Sequence, residues 1–300
     1  MKRIAALCGL SAGGLLAIAG SPNVDGVAID ASDYGASVAV QDTNTRFGNN
    51  VNELNQLFVT SDSANIYLGM PGNLSDNNTL MVFIDTDGAA GSADLLTELG
   101  GPCPGDVPTI LRHYDESTLD FTPNHALTIS VGTFPGQGVG ADNLVFASDL
   151  TNLNTLANEV LGIGAVNSGN GLLTGDSGVQ IAIDTSNAGG VGAWDPNFPT
   201  PADSGDDPTD TTTGIEIAIP RALIGLAGPS ATDVGFFAFI TNNAQDGGPG
   251  PCFRQGFASN QGLPGLDGAD NLGVFQGVFN FLNFTTIANP QVVAVTIPAP

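Results

Sequence analysis

The chain has 300 residues, and its 30 acidic side chains against six basic ones give a net charge of −24 at pH 7. Such a surface repels polyanions, so we exclude nucleic acid as a partner. Forty-one glycines and 19 prolines, with few strong helix formers, indicate short strands joined by turns.

The N-terminus has the pattern of an export signal. Basic residues in Met1–Arg3 precede an uncharged apolar run, Ile4–Ala19, which ends in small residues. The run is shorter than the about 20 apolar residues that a membrane span needs. We therefore predict a signal peptide at 1–19, a secreted or cell-surface protein, and one domain over 20–295.

Seven segments alternate apolar and polar residues, which predicts β-strands. Between them lie turn sequences rich in Gly, Pro, Asn and Asp, whose spacing favours antiparallel meanders. We therefore predict an all-β protein. The predicted strands are Ser37–Gln41, Asn65–Met70, Thr79–Asp85, Ala126–Val131, Val179–Asp184, Gly214–Ile219 and Val234–Ile240.

Helical patterns are few. We predict short helices over Ser92–Leu99 and over Arg221–Leu226, the second because a proline precedes it. Thr151–Leu161 has a loosely helical apolar spacing and predicts either a short helix or a loop.

The segment 199–213 has no large apolar side chain and predicts a solvated acidic loop. Its aspartates are Asp203, Asp206, Asp207 and Asp210. We interpret them as solvated charges, in preference to a contact with a cation or a basic partner, because nothing in the sequence holds them in a cage.

Two cysteines follow the predicted signal peptide, Cys103 and Cys252, both in loops rich in proline and glycine. An exported protein with one such pair usually oxidises it, so we predict a disulfide. The closed loop of about 150 residues corresponds to a stabilisation of roughly 5 kcal/mol in the chain-entropy model.

Five groups of short segments follow one another along the chain: Tyr34–Thr43 with Phe47–Asn49, Asn65–Gly69 with Gly72–Leu74 and Val82–Asp85, Ile183–Asn187, Thr213–Pro220, and Ser259–Gln261 with Asn271–Gly273. Together they resemble a family of exported bacterial proteins, many of which carry a PEP-CTERM type sorting tail. The resemblance implies a jelly-roll-like antiparallel β-sandwich similar to family 9 carbohydrate-binding modules and DOMON domains. In it, a strand, a Gly-Asn-Leu turn and a strand ending in Ile-Asp form the central hairpin. It implies no catalytic residue.

Residues 296–300, Thr-Ile-Pro-Ala-Pro, are similar to the start of such a sorting tail, without its apolar span and arginines. We expect either a chain truncated before an anchor or a protein released without one. Membrane attachment is expected only in the first case.

One segment has the residue types of a calcium site. Asp85 and Asp87 stand two apart before a glycine, and Asp94 follows. Calcium prefers such oxygen ligands, although Ala89 and the missing glutamate at the twelfth position exclude an EF-hand. The alternative is an ordinary Asp-Gly turn. Calcium is the one cofactor we consider, and none is required.

Aromatic side chains that could stack on a sugar are scarce. Trp194, in Ala-Trp-Asp-Pro, is the single tryptophan and our candidate ligand-binding residue, with a ring that caps the core edge as the alternative. Tyr67 alternates within a strand and is interpreted as a packing residue. His113 is the best enzymatic candidate, but no motif of a nucleophile or paired acid and base accompanies it.

Three functions follow in order of preference. The first is a non-catalytic surface or extracellular-matrix protein whose acidic face binds cations or envelope polymers. The second is a carbohydrate-binding module, which requires Trp194 or a tyrosine beside Asn or Asp side chains. The third is a secreted hydrolase built around His113.

Overall fold

The computed structural model describes residues 21–75, 77–88, 93–95, 111, 117–133, 144–166, 173–242, 245–246, 254–270, 273–277, 284, 287 and 290–300. In this part of the chain, antiparallel strands form two large sheets and a small two-stranded one. Two short helices lie wholly within these residues, α1 (Ala31–Tyr34) and α2 (Pro201–Ser204).

The first sheet contains seven strands in the order β1-β3-β4-β13-β12-β11, with β2 paired to β4. These strands are β1 (Ala39–Val40), β2 (Glu53–Leu54), β3 (Gln56–Ser61), β4 (Asn65–Asn73), β11 (Leu173–Thr174), β12 (Gln180–Ile183) and β13 (Gly214–Pro220).

The second sheet contains nine strands in the order β10-β9-β8-β5-β14-β16-β15, with β17 paired to β16 and β18 to β14. They are β5 (Asn78–Asp85), β8 (His125–Thr133), β9 (Leu144–Asn152), β10 (Ala157–Ala165), β14 (Thr232–Asn242), β15 (Gln245–Asp246), β16 (Arg254–Leu263), β17 (Gly273–Gly277) and β18 (Val293–Ile297). The small sheet pairs β6 (Ala93–Leu95) with β7 (Ser117–Leu119).

The chain crosses between the sheets at both ends of the sandwich. From β4 it passes to β5, and from β13 to β14, while β4 pairs with β13 in one sheet and β5 with β14 in the other. Both faces of β5 and β14 are buried, because the second sheet packs on the first sheet and on a separate Phe-rich cluster. All seven predicted strands are strands in the structure, as β1, β4, β5, β8, β12, β13 and β14. The prediction of an all-β sandwich is confirmed.

The side chains between the two sheets are almost entirely aliphatic, and their exposed fractions are close to zero. Its central members are Ile66, Leu68 and Met70 of β4, Ile215, Ile217 and Ile219 of β13, Leu80, Val82 and Ile84 of β5, and Val234, Phe236, Ala238 and Ile240 of β14.

The helical predictions are wrong wherever the structure describes them. Residues 93–95 of the first predicted helix form strand β6, and the other residues of Ser92–Leu99 lie outside the described ranges. The second forms turns, in which Leu226 N donates to the carbonyl of Arg221 at 2.7 Å. Gly225 adopts a φ of +79°, which an α-helix does not accommodate.

Thr151–Leu161 is neither a helix nor a free loop, because it contains the hairpin turn between β9 and β10. Ala157 pairs with Asn152, whose side-chain oxygen accepts from Asn154 N at 3.0 Å and Thr155 N at 3.1 Å. Leu153 and Leu156 pack against the Phe-rich cluster. The helix-like spacing of these leucines therefore comes from the packing of the turn.

The expected central hairpin is also wrong, since β4 and β5 lie in different sheets. Both edges of β4 are occupied, by β3 and β2 on one side and β13 on the other, so β5 has no edge of β4 to pair with. Gly72 and Asn73 still pair with β2, and the arch between the sheets begins at Leu74. Gly72 has a φ of +149°, and a Cβ there would lie 2.1 Å from the carbonyl oxygen of Glu53.

The acidic segment 199–213 contains α2 and packs on the sandwich through buried Pro201, Pro208 and Thr211, while its four aspartates are exposed. At the C-terminal end, Thr296 and Ile297 belong to β18 and pair with Asp233 and Thr232. The sheet therefore continues past residue 295.

We expect Gly72→Ala to lower the free energy of unfolding by about 3 kcal/mol or more, because the new methyl group meets backbone that cannot move cheaply and the residue keeps a positive φ. Gly88→Ala is the matched control. Gly88 also has a positive φ, +66°, but no atom lies within 4 Å of the added Cβ, so about 1 kcal/mol is expected. Urea denaturation measures both, and equal losses would contradict the close approach of Gly72 to the backbone of β2.

Candidate functional site

Buried polar side chains concentrate at the end of the sandwich where β4 crosses to β5. Asparagine amides dominate this group, and we call Asn44, Asn52, Asn55, Asn73, Asn187 and Asn260 the amide network. Each of these six residues is at most 9% exposed. Buried amides require partners, and here the partners are mostly backbone groups of the surrounding loops. The network therefore determines the loop conformation at this end.

The loop of residues 187–199, which we call the Trp194 loop, is attached to Asn44 and Thr45. Thr45 N donates to the carbonyl of Gly192 at 2.9 Å, and Trp194 N donates to the carbonyl of Thr45 at 2.9 Å. Gly192 N donates to Asn44 Oδ1 at 3.2 Å, and Asn44 N donates to the carbonyl of Pro199 at 2.8 Å. Both ends of the segment that carries Trp194 are thereby fixed.

The indole ring of Trp194 is half-buried and has defined partners. Its Nε1 donates to the carbonyl of Gly268 at 3.2 Å. The guanidinium of Arg46 lies over the ring, 4.6 Å from the centroid, and pairs with Asp270. An exposed cation–π contact of this kind contributes about 0.5–1 kcal/mol. The ring is therefore held in one orientation.

A second aromatic ring is displayed on the same loop. Phe198 is 52% exposed and ends a tight turn in which Phe198 N donates to the carbonyl of Asp195 at 2.9 Å. Within this turn, Asp195 Oδ1 accepts hydrogen bonds from the backbone N of Asn197 at 2.7 Å and from its Nδ2 at 2.8 Å. We name Arg46, Trp194, Phe198 and Asp270 the Trp194 platform.

A carboxylate that sequence reasoning missed, that of Glu53, lies inside the amide network. Glu53 is 0% exposed. Its Oε1 accepts from Asn187 Nδ2 at 2.7 Å and from Asn55 Nδ2 at 3.3 Å, and its Oε2 accepts from Asn50 N at 3.0 Å. Burial raises the pKa of Glu53 to about 7, the three hydrogen bonds oppose this rise, and the charge of Asp210 adds to it.

A second missed carboxylate, Glu216, has a structural role. It accepts from Asp25 N, Gly26 N and the Tyr34 hydroxyl at 2.6–2.8 Å and so anchors the segment before β1 to β13. The sequence held one signal for it, a charged residue between two isoleucines of a predicted buried strand. No comparable signal marks Glu53, because the polar run around it has no periodic pattern.

The predicted calcium residues lie elsewhere. Asp85 ends β5 at the opposite end of the sandwich, and its Oδ1 accepts from Asp87 N and Gly88 N, both at 3.1 Å. This is the geometry of the Asp-Gly turn that the sequence offered as the alternative. Burial, and then the neighbouring Asp87, raise the pKa of Asp85. Asp94 lies in β6, and its side chain is outside the described structure, so the calcium site stays a prediction.

Two further predictions concern residues outside the described ranges. Cys103 and Cys252 lie there, so the disulfide stays a prediction, and so does the hydrolase built on His113. Among the described residues, no group of three or more His, Cys, Asp and Glu side chains could hold a metal ion. Tyr67 is buried in a small cluster and donates to Asp62 at 2.7 Å, which agrees with its interpretation as a packing residue.

No protein-family model matches the chain, and no curated protein matches it. Residues 1–19 are outside the described ranges, so the signal peptide stays a prediction. None of the helices in the described part of the chain is long and apolar enough to cross a membrane.

We expect Glu53 to make stability fall as the pH rises from about 4.5 to above 7. Its pKa is about 7 in the folded state against 4.5 ordinarily, so the folded protein binds the proton more tightly and gains stability that is full at low pH and is lost through the folded-state pKa. The upper limit is about 3 kcal/mol.

Denaturation of the wild type and of Glu53→Gln at pH 5 and pH 8 checks this expectation. The stability difference between the two proteins should change with pH in favour of the wild type at pH 5. A difference that is the same at both pH values would contradict the assignment of this titration to Glu53.

Proposed function

We propose that this protein is a non-catalytic, exported component of a cell surface or extracellular matrix, and that it binds an envelope polysaccharide through the Trp194 platform. The observation that carries the proposal is that a half-buried Trp194 and an exposed Phe198 lie on one loop that buried amides hold in place. Polysaccharides are bound by aromatic rings flanked by hydrogen-bonding groups.

The rigidity of the loop supports binding. Ordering a loop upon association reduces the affinity, and a loop that is ordered beforehand avoids that loss. The Trp194 loop is held by Asn44, Thr45 and Asn55 in the free protein, since Val191 N donates to Asn55 Oδ1 at 2.9 Å. Asp195 and Asn197, which lie between Trp194 and Phe198 in the chain, are exposed and could supply polar contacts.

We assign no catalytic role to the buried carboxylates. Glu53 and Glu216 each accept hydrogen bonds from several donors that fix the backbone. The two residues lie on different strands of the first sheet, and none of these donors contacts both carboxylates. Their roles are therefore structural, and binding is the function that the remaining exposed groups support.

The charge of the protein limits the choice of polymer. With a net charge of −24, an acidic polysaccharide is repelled unless divalent cations or salt screen the surface. We therefore propose a neutral polysaccharide as the main ligand. Retention of an acidic one should depend on calcium, whereas retention of a neutral one should not.

The test is retention of the purified protein on insoluble cellulose, chitin and xylan. We expect Trp194→Ala to weaken retention about tenfold, which corresponds to about 1.4 kcal/mol and is the order of one lost aromatic contact. Phe198→Ala should weaken it by a smaller factor.

Val160→Ala is the matched control, because Val160 is 73% exposed on β10 and lies away from the Trp194 loop. Retention of Val160→Ala should equal that of the wild type. The proposal fails if no polysaccharide retains the wild type, or if Val160→Ala loses as much retention as Trp194→Ala.

A further inference from the structure

Glu53 is connected to the Trp194 loop through two asparagines. Asn187 Nδ2 donates to Glu53 Oε1 at 2.7 Å and to the carbonyl of Gly189 at 2.8 Å, which orders the start of the loop. Asn55 Nδ2 donates to the same Glu53 oxygen at 3.3 Å, while its Oδ1 accepts from Val191 N. One carboxylate therefore holds both side chains that fix residues 187–191.

The end of β4 adjoins this contact. Glu53 of β2 pairs directly with Asn73 of β4, so their side chains lie on the same face of the sheet. Asn73 Nδ2 donates to the carbonyl of Asn187 at 2.9 Å, and Asn73 Oδ1 is buried without a hydrogen-bond partner. Protonation would turn the Glu53 carboxyl, which lies on the same face of the sheet as this unpaired oxygen, into a hydrogen-bond donor.

We propose that Glu53 is the positioning residue of the Trp194 platform, holding residues 187–194 against the sandwich and making the order of this loop depend on pH. This inference rests on the proposed function, because the platform is the proposed binding surface. Its test measures the order of the loop and needs no ligand. The groups that hold the loop are all residues of this chain.

The direction of the effect follows from linkage. With the loop closed, Glu53 is enclosed and binds its proton tightly, with a pKa of about 7. With the loop open, water reaches the carboxyl group and the pKa returns towards 4.5, so rising pH favours opening. The opening equilibrium constant should increase about tenfold between pH 6 and pH 8.

One charged side chain acts on Glu53 from the elements packed around it, Asp210 of the acidic segment. The groups that donate to its carboxyl are neutral amides, those of Asn50, Asn55 and Asn187. Asn73, its partner in β4, is also neutral, and Gln261 of β16 accepts from Leu54 N. Arg46 lies over Trp194 and pairs with Asp270, and Asp206 lies beside Gly192. Asp210→Asn should therefore lower the pKa of Glu53 in the closed loop and reduce the increase in loop opening between pH 6 and pH 8.

The experiment is residue-resolved hydrogen exchange of the full chain at pH 6 and pH 8, followed at the amides of Val191, Gly192 and Trp194, which all donate hydrogen bonds in the closed loop. Dividing the wild-type rate by the Glu53→Gln rate at each pH removes the intrinsic pH dependence of exchange. We expect this ratio to increase about tenfold from pH 6 to pH 8.

Asp85→Asn is the matched control. Asp85 is also buried with a raised pKa, but it lies seven residues along β5 from Asn78, about 23 Å at 3.3 Å per residue. The exchange rate of Asp85→Asn divided by that of Glu53→Gln should therefore increase about tenfold from pH 6 to pH 8, as for the wild type. If Glu53→Gln does not fold, Asp210→Asn decides, since it should show a pH increase clearly smaller than tenfold.

An equal ratio at both pH values, or an Asp210→Asn protein with the wild-type pH dependence, would overturn the role of Glu53. Polysaccharide retention is measured separately. Loss of pH-dependent exchange with retained polysaccharide binding removes only the role of Glu53, and pH-dependent exchange without any retention removes only the proposed function.

Discussion

The apolar contact between the two sheets is the interaction on which the rest of this structure depends. β4 and β13 face β5 and β14, and their inward aliphatic side chains form one continuous core. Burial of this kind contributes roughly 25 cal/mol per Å² of apolar surface removed from water. The chain crosses from one sheet to the other twice, from β4 to β5 and from β13 to β14. Each of these two strand pairs therefore places one strand on either side of the core.

The same crossings bring polar groups together at one end. Chain that passes from one sheet to the other cannot satisfy its backbone by strand pairing, so side-chain amides take over that role. Asn52 shows this, with its Oδ1 accepting from Ser75 N, Ser75 Oγ and Asn78 Nδ2 at 3.0 Å. Asn260 does the same for the neighbouring loops, through the carbonyls of Asn44 and Ala269. A rigid loop that displays Trp194 is the outcome.

Burial of Glu53 connects stability to the order of this loop. An enclosed carboxylate without a cationic partner is costly, and its raised pKa expresses that cost. Asn50, Asn55 and Asn187 reduce the cost by donating hydrogen bonds. Glu216 is enclosed in the same way by two backbone N–H groups and Tyr34. In both places a carboxylate with several converging donors fixes segments that are far apart in sequence.

The sequence by itself determined the strands with a clear apolar pattern, such as β4, β13 and β14, and hence the all-β class, because a two-residue period is a local property. It also singled out Trp194. Only the tertiary structure decided that β4 and β5 lie in different sheets, that the leucines near Thr151 belong to a hairpin turn, and that Glu53 meets Asn187. These features depend on which strand edges are free and which side chains meet across more than a hundred residues, and no local pattern encodes such contacts.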